Sequence, residues 1–197
     1  MKQIILASAS PRRREILSEL GVPFTVRVAD TDEQSDEKDP ALFAEALAKQ
    51  KGQAVWQSLA ETEKTADTVV LSADTVVVCE GEILGKPTSP ADAARMLRML
   101  SGRVHHVITG VAVTACGITH TAHSDTLVRV HTLSDEAIAH YVASGDPMDK
   151  AGAYGIQGAF SRWIEGIEGC YFGVVGLPTH VLAELYLRVT GEELLAK

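Results

Sequence analysis

Leu6-Ala-Ser-Ala-Ser-Pro-Arg-Arg-Arg14 joins the apolar run Ile4-Ile5-Leu6 to the start of a helix, and this junction decides the fold class. Ile4 to Leu6 reads as a buried strand. Ser10 suits a helix N-cap, and Pro11 suits the first helical position, where a missing N–H is no loss. A strand handed straight to a helix opens an α/β chain. The same turn carries three guanidinium groups, Arg12, Arg13 and Arg14, beside the free N–H groups and positive dipole end of the helix. That combination attracts phosphate, to which Arg12 and Arg13 can add bidentate contacts. No acid stands three residues after Ser10 to close a capping box, so the helix donors stay available. Taken alone, the segment also fits a capped surface helix with solvated arginines.

Outward from this turn, strands and helices alternate. The patterning predicts a strand over 3–8, a helix over 11–20 closed by Gly21, and a strand over 24–29 with Phe24, Val26 and Val28 on one face. An acidic loop follows. From Asp39-Pro40 to about Leu59, Leu42, Ala46, Leu47, Ala54 and Val55 recur at helical spacing, which predicts a long amphipathic helix carrying Lys49 and Lys51. Thr68-Val-Val-Leu-Ser-Ala73 is an apolar run broken by Asp74-Thr75, after which Val76 to Cys79 resumes as a strand. Ser89-Pro90-Ala-Asp92 reads as a capping box for a helix ending at Leu100. Long strands are predicted over 104–114 and 118–130, and Ser134 caps a helix to about Ser144. Short strands near 161–165 and over 170–175 and a helix after Pro178 complete the pattern.

The 197 residues suit one domain, or two tightly joined lobes, with a sizeable core. No apolar run approaches the ~20 residues that span a bilayer, which argues against a membrane role. The opening Met-Lys-Gln-Ile-Ile-Leu is too brief for a signal peptide, so a cytoplasmic location is expected. Cys79, Cys116 and Cys170 have neither C-x-x-C spacing nor a disulfide pattern and read as buried hydrophobes in a reducing compartment. A formal charge of −8 disfavours nucleic acid polymers and leaves room for a local basic pocket that takes a small phosphorylated ligand.

Several side chains can carry chemistry. A carboxylate is costly in apolar surroundings unless it meets a cation or a donor, and Asp74 follows Val69, Val70 and Leu71. It can hold Mg²⁺ or take a proton from water, or it can be a turn aspartate. Asp30, Asp32 and Glu33 form an acidic loop, either metal-binding or solvated. Lys51 is a candidate cation, as is Lys86, framed by Gly85 and Pro87. Asp149-Lys-Ala-Gly-Ala-Tyr-Gly-Ile-Gln-Gly158 is a glycine-rich loop suited to lie against a flat or phosphorylated ligand, with the Gln157 amide reading its edge; a structural turn is the competing reading. The seven histidines lack metal spacing, and His120 and His123 fall on opposite strand faces as structural or surface groups.

Together these residues resemble the Maf-type nucleoside triphosphate pyrophosphatases over nearly the whole chain. The motifs are Leu6-Ala-Ser-x-Ser-Pro-Arg-Arg13, Ala48-x-x-Lys51, Ala73-Asp-Thr-Val-Val77, Gly85-Lys-Pro87, Ser101-Gly102 with Val107-x-Thr-Gly-Val111, Asp149–Gly158 and Val174-Val-Gly-Leu-Pro178. The resemblance implies a single Maf-type domain over 1–197: an elongated, two-lobed α/β mixed-sheet fold related to the inosine-triphosphate pyrophosphatases. It also implies a homodimer, a divalent metal (Mg²⁺ or Mn²⁺) and hydrolysis of a nucleoside triphosphate to monophosphate and pyrophosphate. By motif, Asp74 resembles the family's proton acceptor. Arg12, Thr75 and Gln157 match positions that set base choice in the dTTP/UTP branch, which Gly-Ile-Gln-Gly favours. Glu33, Lys51, Lys86 and Arg13 match other polar positions of the family's pocket. Departures are Asp30-Thr31 where Ser-Ile is common, and Cys170 and Gly173 in place of a frequent Ser and Asn.

The mechanism these residues suggest has Glu33 and Asp74 holding the metal against the triphosphate while Arg12, Arg13, Lys51 and Lys86 neutralise it and water attacks the α-phosphorus. Asp74 is then metal ligand, general base or both. The amide of Gln157 can meet the N3–H and carbonyl of thymine or uracil and, flipped, cytosine. Other readings are a sister activity on a modified purine nucleotide and a non-catalytic nucleotide-binding regulator of cell division.

Overall fold

The computed structural model describes residues 2–31 and 34–194; Asp32 and Glu33 of the acidic loop lie outside them. Its longest buried element is strand β3. The element order is β1 (Gln3–Leu6), α1 (Pro11–Glu19), β2 (Phe24–Val26), α2 (Pro40–Ser58), β3 (Thr68–Cys79), β4 (Glu82–Leu84) and α3 (Pro90–Leu100). Then come β5 (Val104–Ala115), β6 (Ile118–Val130), α4 (Asp135–Ala143), three 3₁₀ turns between Asp146 and Trp163, β7 (Ile164–Glu168), α5 (Tyr171–Val175) and α6 (Thr179–Thr190). The described strands form one mixed sheet in the order β2-β1-β3-β5-β6-β7, with β4 paired to β3. The class is α/β.

The chain divides into two compact units and crosses between them within β3, β5 and β6 and again after α5, at Val175–Gly176. The first takes in the described residues of Met1–Asp74, Thr109–Ser124 and Gly176–Lys197. Here β1 pairs in parallel with β2 and with β3, Leu6 standing opposite Leu71. Parallel strands covered on both faces are apolar throughout, and β3 is buried at every position except half-buried Thr75. Helix α2, capped by Asp39 accepting from the Ala41 and Leu42 amides, lies on this sheet. Ile5, Ala7, Val55, Leu59 and Val70 share one core cluster there.

The second unit is Thr75–Ile108 with Asp125–Val175. Its core joins Val77, Cys79 and Leu84 to Leu97 and Leu100 of α3, Tyr141 of α4 and the rings of Tyr154 and Phe160. At the start of α3 the Ser89 hydroxyl accepts from the Asp92 amide, but Asp92 returns its bond to the Thr88 amide, one residue earlier than a standard capping box requires.

Several sequence expectations change. Asp74-Thr75 does not break the strand: pairing with β1 ends at Leu71 and pairing with β4 begins at Val77, and the backbone stays extended between these partners. Strand β2 stops at Val26, and Val28 beyond it is 61% exposed. The segment near 161–165 is a 3₁₀ turn, Gly158–Trp163, that runs into β7.

Residues 170–175 form helix α5 in place of the expected strand. Gly169 (φ 129°) and Gly176 (φ 125°) bend the chain at both ends. Cys170 is pinned by mutual bonds with the Thr126 hydroxyl, and its thiol accepts from the Gly173 amide, which starts a helical turn. Of the cysteines only Cys79 is buried; Cys116 is exposed in the β5–β6 turn at φ 50°, and Cys170 is intermediate.

The approach of α2 to the sheet is unusually close. A Cβ on Gly110 of β5 would sit 2.4 Å from the Ala44 carbonyl carbon and oxygen, and one on Gly52 would sit 2.7 Å from the Ser72 hydroxyl. Backbone cannot step aside as a side chain can. Gly110→Ala is therefore expected to cost about 3 kcal/mol or more, or to prevent folding, as read by urea denaturation. A loss below about 1 kcal/mol would show the contact to be looser than described.

Candidate active site

A charged pair with little exposure in the first unit joins Lys51 to Asp74, at Nζ–Oδ1 2.6 Å. Ala44, Ala48 and Gly52 recur every four residues along α2, so one small-residue face meets the sheet. The Ser72 hydroxyl donates to the Ala48 carbonyl at 2.7 Å and fixes the helix against β3. Lys51, next to Gly52, then reaches Asp74, two residues beyond Ser72 on the same strand face. Asp74 is only 8% exposed. A carboxylate this far from water needs a partner, and the ammonium supplies it.

At the β1–α1 turn, Arg13 Nε donates to the Gly176 carbonyl at 2.7 Å, and its Nη1 donates to the Ser8 hydroxyl at 3.3 Å. Ser8 also accepts from the Ser10 amide. Arg13 thus ties the turn to the bend before α6 (Thr179–Thr190), a structural duty the sequence did not reveal. Arg12 is half-buried at the second position of α1. Ser10 occupies the N-cap, but its side chain makes no capping bond.

In the second unit, Lys86 is exposed above a buried Pro87, and Gln157 is exposed in the glycine-rich loop. The Gly152 amide donates to the Gly85 carbonyl at 3.0 Å, so the lysine loop and the glutamine loop are joined by backbone. Lys150 braces the base of the glutamine loop, donating to the Asp146 carbonyl and to the Asp146 and Asp149 carboxylates. The Tyr141 hydroxyl donates to Asp146 at 2.5 Å. Burial would raise the Asp146 carboxyl, but bonds from Tyr141 and Lys150 outweigh that and hold it below its usual value. Burial, reinforced by Asp146, pushes the Tyr141 hydroxyl well up.

Two groupings of the expected residues therefore exist within units: Lys51 with Asp74, and the Lys86 and Gln157 loops. Thr75 is the half-buried residue following Asp74. Glu33, expected beside Asp74 as a metal ligand, lies outside the described residues. Among the described residues no cluster of three or more His, Cys, Asp or Glu side chains has metal-site geometry. Nor is any helix among them long and apolar enough to cross a membrane.

One pair escaped the sequence reading. His105 of β5 is 1% exposed, its Nε2 lies 2.8 Å from the Tyr154 hydroxyl, and its Nδ1 is buried without a partner. Burial, aided by neighbouring His106, lowers its pKa to about 4. The only signal available was its inward place in an alternating strand.

Against known proteins, the family model described as Maf-like protein matches residues 3–189. The chain belongs to the Maf family. Among its Maf relatives, the dTTP/UTP pyrophosphatase of Moorella thermoacetica is 52% identical over 188 residues, covering 94% of each chain. That of Symbiobacterium thermophilum is 49% identical over 181 residues, covering 91% of this chain and 90% of the relative. A third, from Koribacter versatilis, is 49% identical over 176 residues, covering 89% and 88%. The solved Staphylococcus aureus Ham1 protein is similar over 95% of this chain and 90% of its own, at 14% identity and a TM-score of 0.49.

In this Maf chain the Lys51–Asp74 pair can be measured directly. A double-mutant cycle with Lys51→Met and Asp74→Asn, followed by urea unfolding, is expected to give a coupling of about 1–3 kcal/mol. A coupling near zero would show the two groups to be independent.

His105 makes stability depend on pH. The unfolded histidine takes up a proton below about 6.5, whereas the folded one stays neutral down to about 4. Its contribution is therefore complete above the higher value and is lost as pH falls through that window. Relative to wild type, His105→Gln is expected to gain about 3 kcal/mol in unfolding free energy between pH 6.5 and pH 4, using about 1.4 kcal/mol per pK unit. Parallel stability curves would contradict the assignment.

Proposed function

We propose that this chain is a nucleoside triphosphate pyrophosphatase that hydrolyses dTTP and UTP, and modified pyrimidine counterparts, to the monophosphate and pyrophosphate. The observation that carries the reading is Asp74, a buried carboxylate balanced by Lys51 inside a β-strand, in a chain about half identical to relatives named dTTP/UTP pyrophosphatases.

The chemistry assigned to the residues is as follows. Water attacks the α-phosphorus, the bond to the bridging oxygen of the β-phosphate breaks, and pyrophosphate leaves. Asp74 takes the proton of the attacking water. Lys51, Arg12 and Lys86 are the cations assigned to the polyphosphate, and Arg13 holds the β1–α1 turn in shape for it. Gln157 reads the base edge, and Arg12 and Thr75 share in base choice.

A divalent ion fits the donor set only in part. Oδ1 of Asp74 serves Lys51, so Oδ2 is the oxygen that receives the water's proton, and Glu33 is the carboxylate we assign chiefly to the cation, with Asp74 beside it. A Mg²⁺ site commonly takes one or two carboxylates and completes its shell with substrate phosphates and water. When bound, Mg²⁺ or Mn²⁺ supplies charge neutralisation at the polyphosphate. We further place the enzyme in the cytoplasm, as a homodimer.

The deciding measurement is pyrophosphate release from each common nucleoside triphosphate, with and without Mg²⁺ or Mn²⁺. Release is expected from dTTP and UTP, to depend on the metal, and to be greatest with these two bases. Asp74→Asn is expected to lower kcat by about 10²-fold or more while unfolding cooperatively. Turnover near wild type in that variant would defeat the assignment. Gln157→Ala is expected to weaken discrimination among bases by more than it slows hydrolysis.

A further inference from the structure

The outer part of the glutamine loop, residues 155–159, half-buried at Gly155 and Ile156 and exposed from Gln157 to Ala159, is fastened at both ends by aromatic rings. Tyr154 and Phe160 bracket it, both buried, with ring centroids 4.7 Å apart. Phe160 packs in turn on Tyr141 at 5.2 Å and on Trp163 at 5.3 Å. Gln157, Gly158 and Ala159 project from this clamp into solvent. Apolar ring contacts fix how near the two ends come but let them slide, because dispersion has little directional preference.

Within the loop the Ser161 hydroxyl donates to the Gly158 carbonyl at 2.6 Å and the Gly155 backbone bonds the Tyr141 hydroxyl, and a further directional tie runs from Tyr154 to strand β5. The Tyr154 hydroxyl reaches Nε2 of His105 on β5, and the two rings meet edge to face at 5.4 Å. This pair is a poor choice for stability alone, since replacing both partners of a buried hydrogen bond by apolar groups of similar shape is nearly neutral. It also leaves His105 Nδ1 buried and unpartnered, which is unfavourable. What it adds over a Phe–Leu contact is a fixed distance and angle between the loop and the sheet.

We propose that the His105–Tyr154 hydrogen bond is a positioning device that anchors the 155–159 loop to strand β5 and thereby sets how strictly Gln157 discriminates among nucleobases. Neither residue touches the reacting atoms. The base-reading half of the claim rests on the function proposed above; the anchoring half does not.

The test uses the full chain at neutral pH and three variants: Tyr154→Phe, His105→Leu and His105→Gln, whose amide nitrogen can still bond the Tyr154 oxygen. Thermal unfolding establishes that each is folded. Amide hydrogen exchange over 155–159 is expected to accelerate about tenfold in Tyr154→Phe and His105→Leu and to stay near wild type in His105→Gln. In the same two variants, KM for dTTP is expected to rise about fivefold with kcat changed less than about twofold. The ratio of kcat/KM for dTTP over dCTP is expected to fall about tenfold, with His105→Gln restoring it.

Unchanged exchange in folded Tyr154→Phe overturns the proposal. Accelerated exchange with an unchanged base ratio overturns its specificity half. A wild-type chain that releases no pyrophosphate from any triphosphate refutes the function, while the exchange measurement still decides the anchoring.

Discussion

The approach of α2 to the sheet is the constraint on which the rest of the first unit depends. Helices normally ride on sheets through interleaved side chains, but here the contact is made through Ala44, Ala48 and Gly52 against Ser72 and Gly110. Removing side-chain volume costs little at these positions because the space goes to backbone. It also leaves α2 little freedom to rotate or shift, so the side chain of Lys51, Gly52's neighbour, is held in place. Lys51 finds Asp74 because the helix cannot do otherwise.

The position of that pair gives it weight. Exposed pairs such as Arg98 with Asp135 or Arg95 with Glu82 are screened by water and contribute little. Lys51 and Asp74 keep only 16% and 11% of their side-chain surface, so each must answer the other's desolvation. An arrangement of that kind is costly as a structural device and useful as a chemical one, since charges fixed in a dry site need no reorganisation when a reaction passes through.

Much of the fold was legible because its longest elements are strongly patterned. The helix from Pro40 to Ser58 follows its apolar spacing and its Asp39 cap almost to the residue, and β5 and β6 fall within a residue of where alternation puts them. The misreadings were short and shared one cause. Residues 170–175 carry aromatic and β-branched side chains that favour strands, yet two bends and the Thr126 hydroxyl decide their conformation, and those lie outside any local window. Asp74 was recognised as out of place among valines, but whether the strand bent there depended on partners distant in sequence. Among site residues, side-chain type pointed to Arg13 as an anion ligand, while only coordinates reveal its bond to the Gly176 carbonyl. His105 offered only its inward place in an alternating strand, because in sequence a buried histidine differs from a surface one in nothing but its surroundings.

The tight seat of α2 has a further implication for how this chain can vary in length. Inserting one residue in a helix advances everything beyond it by about 1.5 Å and turns it by about 100°. Between Ala44 and Lys51 such an insertion would swing the ammonium off the sheet and present a bulkier side chain where Gly52 now sits. The connection from Leu59 to Asp67, made of turns and outside the seat, can absorb added residues without disturbing that register. Indels should therefore accumulate in such connections and be purged from the six positions that lie between Ala44 and Lys51, which makes this stretch of helix a fixed ruler within an otherwise adjustable chain.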